Sequence, residues 1–176
     1  MSRPRLVLLD RDGTINVKAP EGEYVLSVED LELLPGAAEA VGELTAANLP
    51  VRVVTNQRCI SRGLLDDEGL GAIHRELVRL LDAAGGQVDE ILVCPHGHGE
   101  CECRKPLPGM LLAAAEHAGV SPADTVMIGD ADSDIEAGRA AGMRTIQITS
   151  AAASGADAIA PTLLDAVRRH VLGAST

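Results

Sequence analysis

Asp10 and Asp12 stand two residues apart in the segment DRDGT (10–14), and Gly13 lets the chain turn sharply behind them. Two carboxylates this close repel each other, and one pKa rises unless a cation intervenes. A Mg²⁺ ion held by Asp10 and the distant Asp130 would relieve that repulsion. Magnesium takes oxygen ligands and leaves room in its shell for water or phosphate. With a cation present the two acids can divide labour. Ionised Asp10 can attack phosphorus to form an aspartyl-phosphate, while Asp12 protonates the departing alkoxide and later deprotonates a water. Lys105 can hold the same oxygens by point charge, and Thr55 can donate a hydroxyl hydrogen bond. A pair of acids at this spacing is weak evidence alone, because acids at strand ends often cap helices. Asp132, Ser133 and Asp134 have that simpler role open to them.

A second constellation lies in CPHGHGECECRKP (94–106), where Cys94, His96, Cys101 and Cys103 form Cys-x-His-x4-Cys-x-Cys. Three thiolates and an imidazole suit tetrahedral Zn²⁺, and four protein ligands leave no open position, so such a zinc is structural. Disulfides are the rival, but they are uncommon in the cytoplasm, and Cys101 and Cys103 are close in sequence for a mutual bridge. His98 is an alternative to His96 as the nitrogen ligand. Arg104 and Lys105 directly follow the last cysteine, so a zinc there would aim their charges. Cys59 reads as an ordinary thiol, and His74, on an amphipathic stretch, as a surface or packing residue.

These residues need a frame that brings them together. Short apolar runs at 5–10, 51–56, 88–95, 125–130 and 144–149 read as buried strands. Helical stretches fall between or after them at 36–48, 66–86, 108–119, 132–142 and 161–172, and 150–156 reads as a flexible loop. The alternation implies βαβ units and a mostly parallel sheet covered on both faces, a Rossmann-like α/β three-layer sandwich. Asp10, Thr55 and Asp130 each close a strand, and in such sheets the carboxyl ends of strands border the ligand crevice. The segment beginning at Cys94 opens on the same edge.

Composition narrows the partners. The 176 residues fit one domain, 1–176, with a real core. Phe and Trp are absent and Tyr24 is the only aromatic, so there are no platforms for base stacking. The net charge of −11 opposes binding to a phosphate backbone. No apolar run approaches membrane-spanning length, and the first residues turn charged too early for a signal peptide. The expectation is a cytoplasmic monomer with neither nucleic acid nor membrane as partner. A small anionic substrate fits, since a local cationic pocket acts at short range.

The ordered set LLDRDGTIN, VVTNQRCISRG, CPH…CECRKPLPGM and IGD resembles the haloacid dehalogenase superfamily of aspartate-nucleophile phosphatases over about residues 5–149. Within it, the segments are most similar to the heptose bisphosphate phosphatases, with the histidinol-phosphate phosphatases as the neighbouring branch. ISRG after TNQ and PGM after RKP favour the heptose branch. The resemblance implies a compact member without a large cap domain, carrying a small zinc loop at 94–105, that removes the 7-phosphate of a heptose 1,7-bisphosphate with Mg²⁺. It makes Asp10 the nucleophile, Asp12 the acid/base and Lys105 the stabiliser of the transferring group. Asp10, Asp12 (through its backbone carbonyl) and Asp130 would hold Mg²⁺. Thr55, Asn56, Gln57, Arg58, Arg104 and Lys105 would face the phosphorylated sugar, together with Arg11 and with Glu21 and Tyr24 of the loop 18–25. The chain departs from the family pattern with Ala131 after Asp130, with Arg58 after TNQ, with a longer 18–25 loop and with a shorter cysteine loop. These departures concern the substrate rather than the reaction.

Overall fold

The computed structural model describes residues 3–150 and 155–173. Six strands, β1 (Leu6–Leu9), β2 (Val51–Asn56), β3 (Glu90–Cys94), β4 (Thr125–Gly129), β5 (Arg144–Ile148) and β6 (Ala158–Ala160), form one sheet in the order β3-β2-β1-β4-β5-β6. Every neighbouring pair is parallel. The apolar run of β1 lies in the middle of the sheet, and all four of its residues are fully buried.

Alternation along β1 sorts the core into two layers. Val7 and Leu9 face the side packed by helices α1 (Ala37–Ala46), α2 (Asp67–Asp82) and α5 (Leu163–Asp165). Leu6 and Leu8 face α3 (Gly109–Ala118) and α4 (Asp132–Ala140). Helix α2 turns Leu70, Ile73, Leu77 and Leu81 inward, a three-and-four spacing that makes one apolar stripe. Asp66 starts it by accepting the amide of Gly69 at 2.8 Å.

The five strands and the helices read from sequence are present, trimmed by one or two residues at most strand ends. β6 is an addition: its three residues, Ala-Ile-Ala, pair with β5 and carry too short a pattern to announce a strand. A single 3₁₀ turn at Pro122–Asp124 leads into β4. The last helix winds into a π-helical segment over Ala166–Val171, which 3.6-residue periodicity does not distinguish from α. Residues 151–154 of the expected loop lie outside the described residues.

The order reverses at β1. The chain runs outward to β2 and β3, then returns to lay β4 on the other side of β1. This is the topological switch point at which a crevice opens beyond the strand ends. Between β1 and α1 there are only two isolated bridges, Asp12 with Asn16 and Asn16 with Leu33, so no folded cap covers the crevice among the described residues.

Candidate active site

Asp10 continues β1 by donating its amide to the carbonyl of Ile128 at 2.9 Å, which fixes its carboxylate over the switch point. Lys105 reaches it from the β3–α3 connection, Nζ to Oδ1 at 2.6 Å. The same ammonium meets Asp134 Oδ1 at 2.6 Å and donates to the carbonyl of Val54 at 2.8 Å. Asn56, at the end of β2, clamps the backbone of Lys105 from both sides. Its Nδ2 donates to the lysine carbonyl at 3.0 Å, and its Oδ1 accepts the lysine amide at 3.2 Å.

Burial and the charge of Asp134 push the Asp10 carboxyl up to about 6, against the pull of Lys105. Lys105 moves up as well, because burial is outweighed by Asp10 and Asp134. Asp12 behaves oppositely. Burial raises it, but the Arg11 guanidinium and hydrogen bonds from Asn16, Arg11 and Gln57 hold its carboxyl below the usual range. Its Oδ1 accepts from Asn16 Nδ2 at 2.9 Å and its Oδ2 from Gln57 Nε2 at 2.8 Å.

A cavity of about 310 Å³ opens over these groups. It is lined by most of the expected residues: Asp10, Asp12, Glu21, Tyr24, Thr55, Asn56, Gln57, Arg104, Lys105 and Asp130. Two expected substrate contacts are not brought there. Arg11 is wholly buried, and its guanidinium donates to Asp12 Oδ1 at 2.9 Å and lies 3.1 Å from His74 Nε2. It faces inward because Asp12 needs a counter-charge beneath it. Arg58 is half-buried on the turn after β2 and does not line the cavity.

The structure adds contacts for three residues that are not among the expected site residues, Lys18 entering only as part of the loop 18–25. Asp134 fills the helix-capping role open to it by accepting the amide of Ala131 at 3.1 Å, yet its other oxygen binds Lys105. Nothing in the local sequence separates those two uses. His74 supports Arg11, and burial beside that cation drives its imidazole down to about 4. Lys18 reaches Asp130 Oδ2 with Nζ at 3.1 Å.

Carboxylate oxygens of Asp10, Asp130 and Asp134 lie within 4.8 Å of one another. Asp130 is raised by burial and by Asp10, and its Oδ1 is buried with no partner. A buried, unpartnered carboxylate oxygen beside two further acids fits a hard divalent cation. The Asp12 carboxylate stays outside this group, turned toward Arg11, Asn16 and Gln57. Gly13 makes room for Asp130, since a Cβ built there would lie 2.4 Å from Asp130 Oδ2.

Cys94, His96, Cys101 and Cys103 converge on one point. The sulfurs of Cys94 and Cys103 lie 3.5 and 3.4 Å from that of Cys101, and His96 Nδ1 lies 3.7 and 3.5 Å from Cys94 and Cys103. A tetrahedron with zinc–sulfur arms of about 2.3 Å has edges of roughly 3.7 Å, so the four atoms fit that ion. The nitrogen comes from His96; exposed His98 is outside the group.

A parallel sheet that gathers an acid pair, a lysine and two more acids at its switch point, uncapped, is the layout of a haloacid dehalogenase-like phosphohydrolase. The comparisons agree. Residues 102–172 match the HAD-hyrolase-like family. The D-glycero-beta-D-manno-heptose-1,7-bisphosphate 7-phosphatase of Pseudomonas aeruginosa is 42% identical over 141 residues, 80% of this chain and 78% of its own. The D-glycero-alpha-D-manno-heptose-1,7-bisphosphate 7-phosphatase of Mycobacterium tuberculosis is 38% identical over 156 residues, 85% of this chain and 82% of its own. A solved D,D-heptose 1,7-bisphosphate phosphatase of Bordetella bronchiseptica, complexed with magnesium and phosphate, superposes with a TM-score of 0.88 at 33% identity, covering 97% of this chain and 99% of its own. The chain belongs to the heptose-1,7-bisphosphate 7-phosphatase family of haloacid dehalogenase-like phosphatases.

Proposed function

We propose that the chain is a Mg²⁺-dependent phosphomonoesterase that removes the 7-phosphate of a D-glycero-D-manno-heptose 1,7-bisphosphate, working as a cytoplasmic monomer. The observation that carries the reading is the placement of Asp10. A carboxylate ends the central strand, touches a buried ammonium, and has Asp12 two residues on with its own carboxylate held in place. A binding protein has no use for a nucleophile with an acid/base beside it.

Asp10 attacks phosphorus as the P–O bond to C7 breaks, and the electron pair of that bond passes to the sugar oxygen. Asp12 gives that oxygen its proton, leaving an aspartyl-phosphate and the heptose 1-phosphate. Asp12, now ionised, takes a proton from water. The resulting hydroxide displaces Asp10 and releases inorganic phosphate. Asp12 must therefore begin protonated, although its hydrogen bonds favour the anion in the free protein. The approaching phosphate supplies the correction, because a dianion beside a carboxyl raises its pKa. Lys105 neutralises Asp10 and Asp134 and meets the equatorial oxygens as they gather charge. Mg²⁺ held by Asp10, Asp130 and the backbone carbonyl of Asp12, with the Asp134 carboxylate close by, would supply the further charge that lets two anions meet. Zn²⁺ in the Cys94, His96, Cys101 and Cys103 cluster would be structural. Its support is the closed donor set and the sequence adjacency of Cys103 to Arg104 and Lys105.

The test is a phosphate-release panel of both anomers of the heptose 1,7-bisphosphate, histidinol phosphate and common sugar phosphates. The bisphosphates should be preferred, and a clear preference for histidinol phosphate would overturn the substrate. Asp10→Asn should lower turnover by roughly 10⁴-fold or more with the fold intact. Substantial residual turnover would sink the aspartyl-phosphate route.

A further inference from the structure

The cavity is poor in positive charge. Six carboxylates line it against three cations, Lys18, Arg104 and Lys105. Lys105 has all three N–H bonds engaged by Asp10, Asp134 and Val54. Arg104 is tied to the cysteine loop through Nη1, which donates to the carbonyl of His96 at 3.1 Å, and its Nε is buried without a partner. Lys18 differs from both. Its side chain is 57% exposed, and among the described residues its one hydrogen-bond partner is Asp130. That partner belongs to the carboxylate group that fits a divalent cation. An ammonium and a divalent cation on the same carboxylate repel each other, so a cation on the unpartnered Oδ1 weakens the pair that Lys18 makes with Oδ2. Lys18 is the one that can leave, since an exposed ion pair is weak and its stem is long and free to rotate.

The backbone gives it somewhere to go. Lys18 follows Val17, whose amide is anchored on the carbonyl of Glu32 at 2.8 Å. It precedes a turn closed by the amide of Glu23 on the carbonyl of Pro20, and Val25 re-enters the core. Lys18 thus sits at a fixed root on the wall of the cavity, with its ammonium free to sweep from the acids toward the entrance. We infer that Lys18 is a specificity-determining residue with two successive partners: Asp130 in the metal-free chain, and the non-transferred phosphate of the substrate once a divalent cation has taken Asp130. The inference rests on the bisphosphate reading above for its second partner only.

The two partners are tested separately. Tyr24 lines the same cavity six residues from Lys18 and is the chain's only aromatic residue, so tyrosine emission reports this loop alone. Chelator-treated protein and Lys18→Met are titrated with Mg²⁺ by calorimetry and tyrosine fluorescence. Lys18→Met should bind Mg²⁺ about threefold or more tighter, having lost the competitor, with a smaller emission change than the parent. Equal or weaker binding overturns the first partner. With Mg²⁺ saturating, kcat/KM is compared for the heptose 1,7-bisphosphate and the heptose 7-phosphate. The ratio should fall about tenfold or more in Lys18→Met and persist in Lys18→Arg. An unchanged ratio in Lys18→Met overturns the second partner. If the parent protein hydrolyses neither sugar, the substrate reading fails and the second partner falls with it, while the Mg²⁺ titration still decides the first.

Discussion

Lys105 enters the reaction with no N–H to spare, so phosphate can bind it only by displacing one of its acceptors. Asp10 is the natural one to yield, because it must turn toward phosphorus. Its own proton affinity has a consequence for stability. With the folded carboxyl raised to about 6, the metal-free folded chain binds this proton more tightly than the unfolded chain does. Stability from this group is therefore present below the ordinary carboxylate value and lost as pH rises from about 4 to about 6. Asp10→Asn removes the slope. Thermal melts in chelator between those pH values should show the parent losing ground to the variant as pH rises, and parallel curves would contradict the assignment. At this scale the meeting of Asp10, Asp12 and Lys105 in one cavity was legible because a strand ends at the first pair and the lysine follows a strand opening on the same edge, while their division of labour comes from the resemblance. Asp134 and His74 were not, since each acts through a partner far away in sequence, Lys105 and Arg11 respectively.

On the proposed function, the turn after β1 and the cysteine loop each position one group of the site by a device of their own. In the turn the device is missing volume. Gly13 has φ of 92°, and a Cβ there would press on the Asp130 carboxylate. Gly13→Ala should weaken Mg²⁺ binding at least about tenfold by calorimetry with the far-ultraviolet circular dichroism unchanged, because strain of this kind falls on the site and not on the core. In the cysteine loop the device would be a zinc cross-link through Cys94, His96, Cys101 and Cys103. Stripping zinc should cost roughly tenfold or more in turnover, restored by zinc and not by further Mg²⁺, because the ligand loop sets where Lys105 leaves the chain. Full activity in zinc-free protein, by metal analysis, would end the clamp idea. Elements were legible where apolar runs were four residues or longer. β6 and the π-helical end escaped because three residues, or a change of winding, leave no distinct period.

Taken whole, the molecule repels what it is proposed to bind. A net charge of −11 surrounds a site for a doubly phosphorylated sugar. Association of like charges speeds up when salt screens them, so kcat/KM should rise from low to physiological ionic strength at fixed Mg²⁺. A steep fall would mean that local cations dominate the approach instead. The parallel order was foreseeable from strand–helix alternation, whereas the crossing back from β3 to β4 was not, since strand neighbours are chosen by packing partners remote in sequence. That order also ranks the site by how readily its parts can open. The amides of β1 and of Asp10 lie in the innermost ladder, between two fully covered faces. They should exchange with solvent deuterium only when the whole chain unfolds, whereas Lys18 to Glu23 sit largely exposed and should exchange by local opening. The proposed nucleophile is thus rooted in the innermost ladder, and the exposed 18–23 segment can be loosened, lengthened or replaced in evolution without disturbing it.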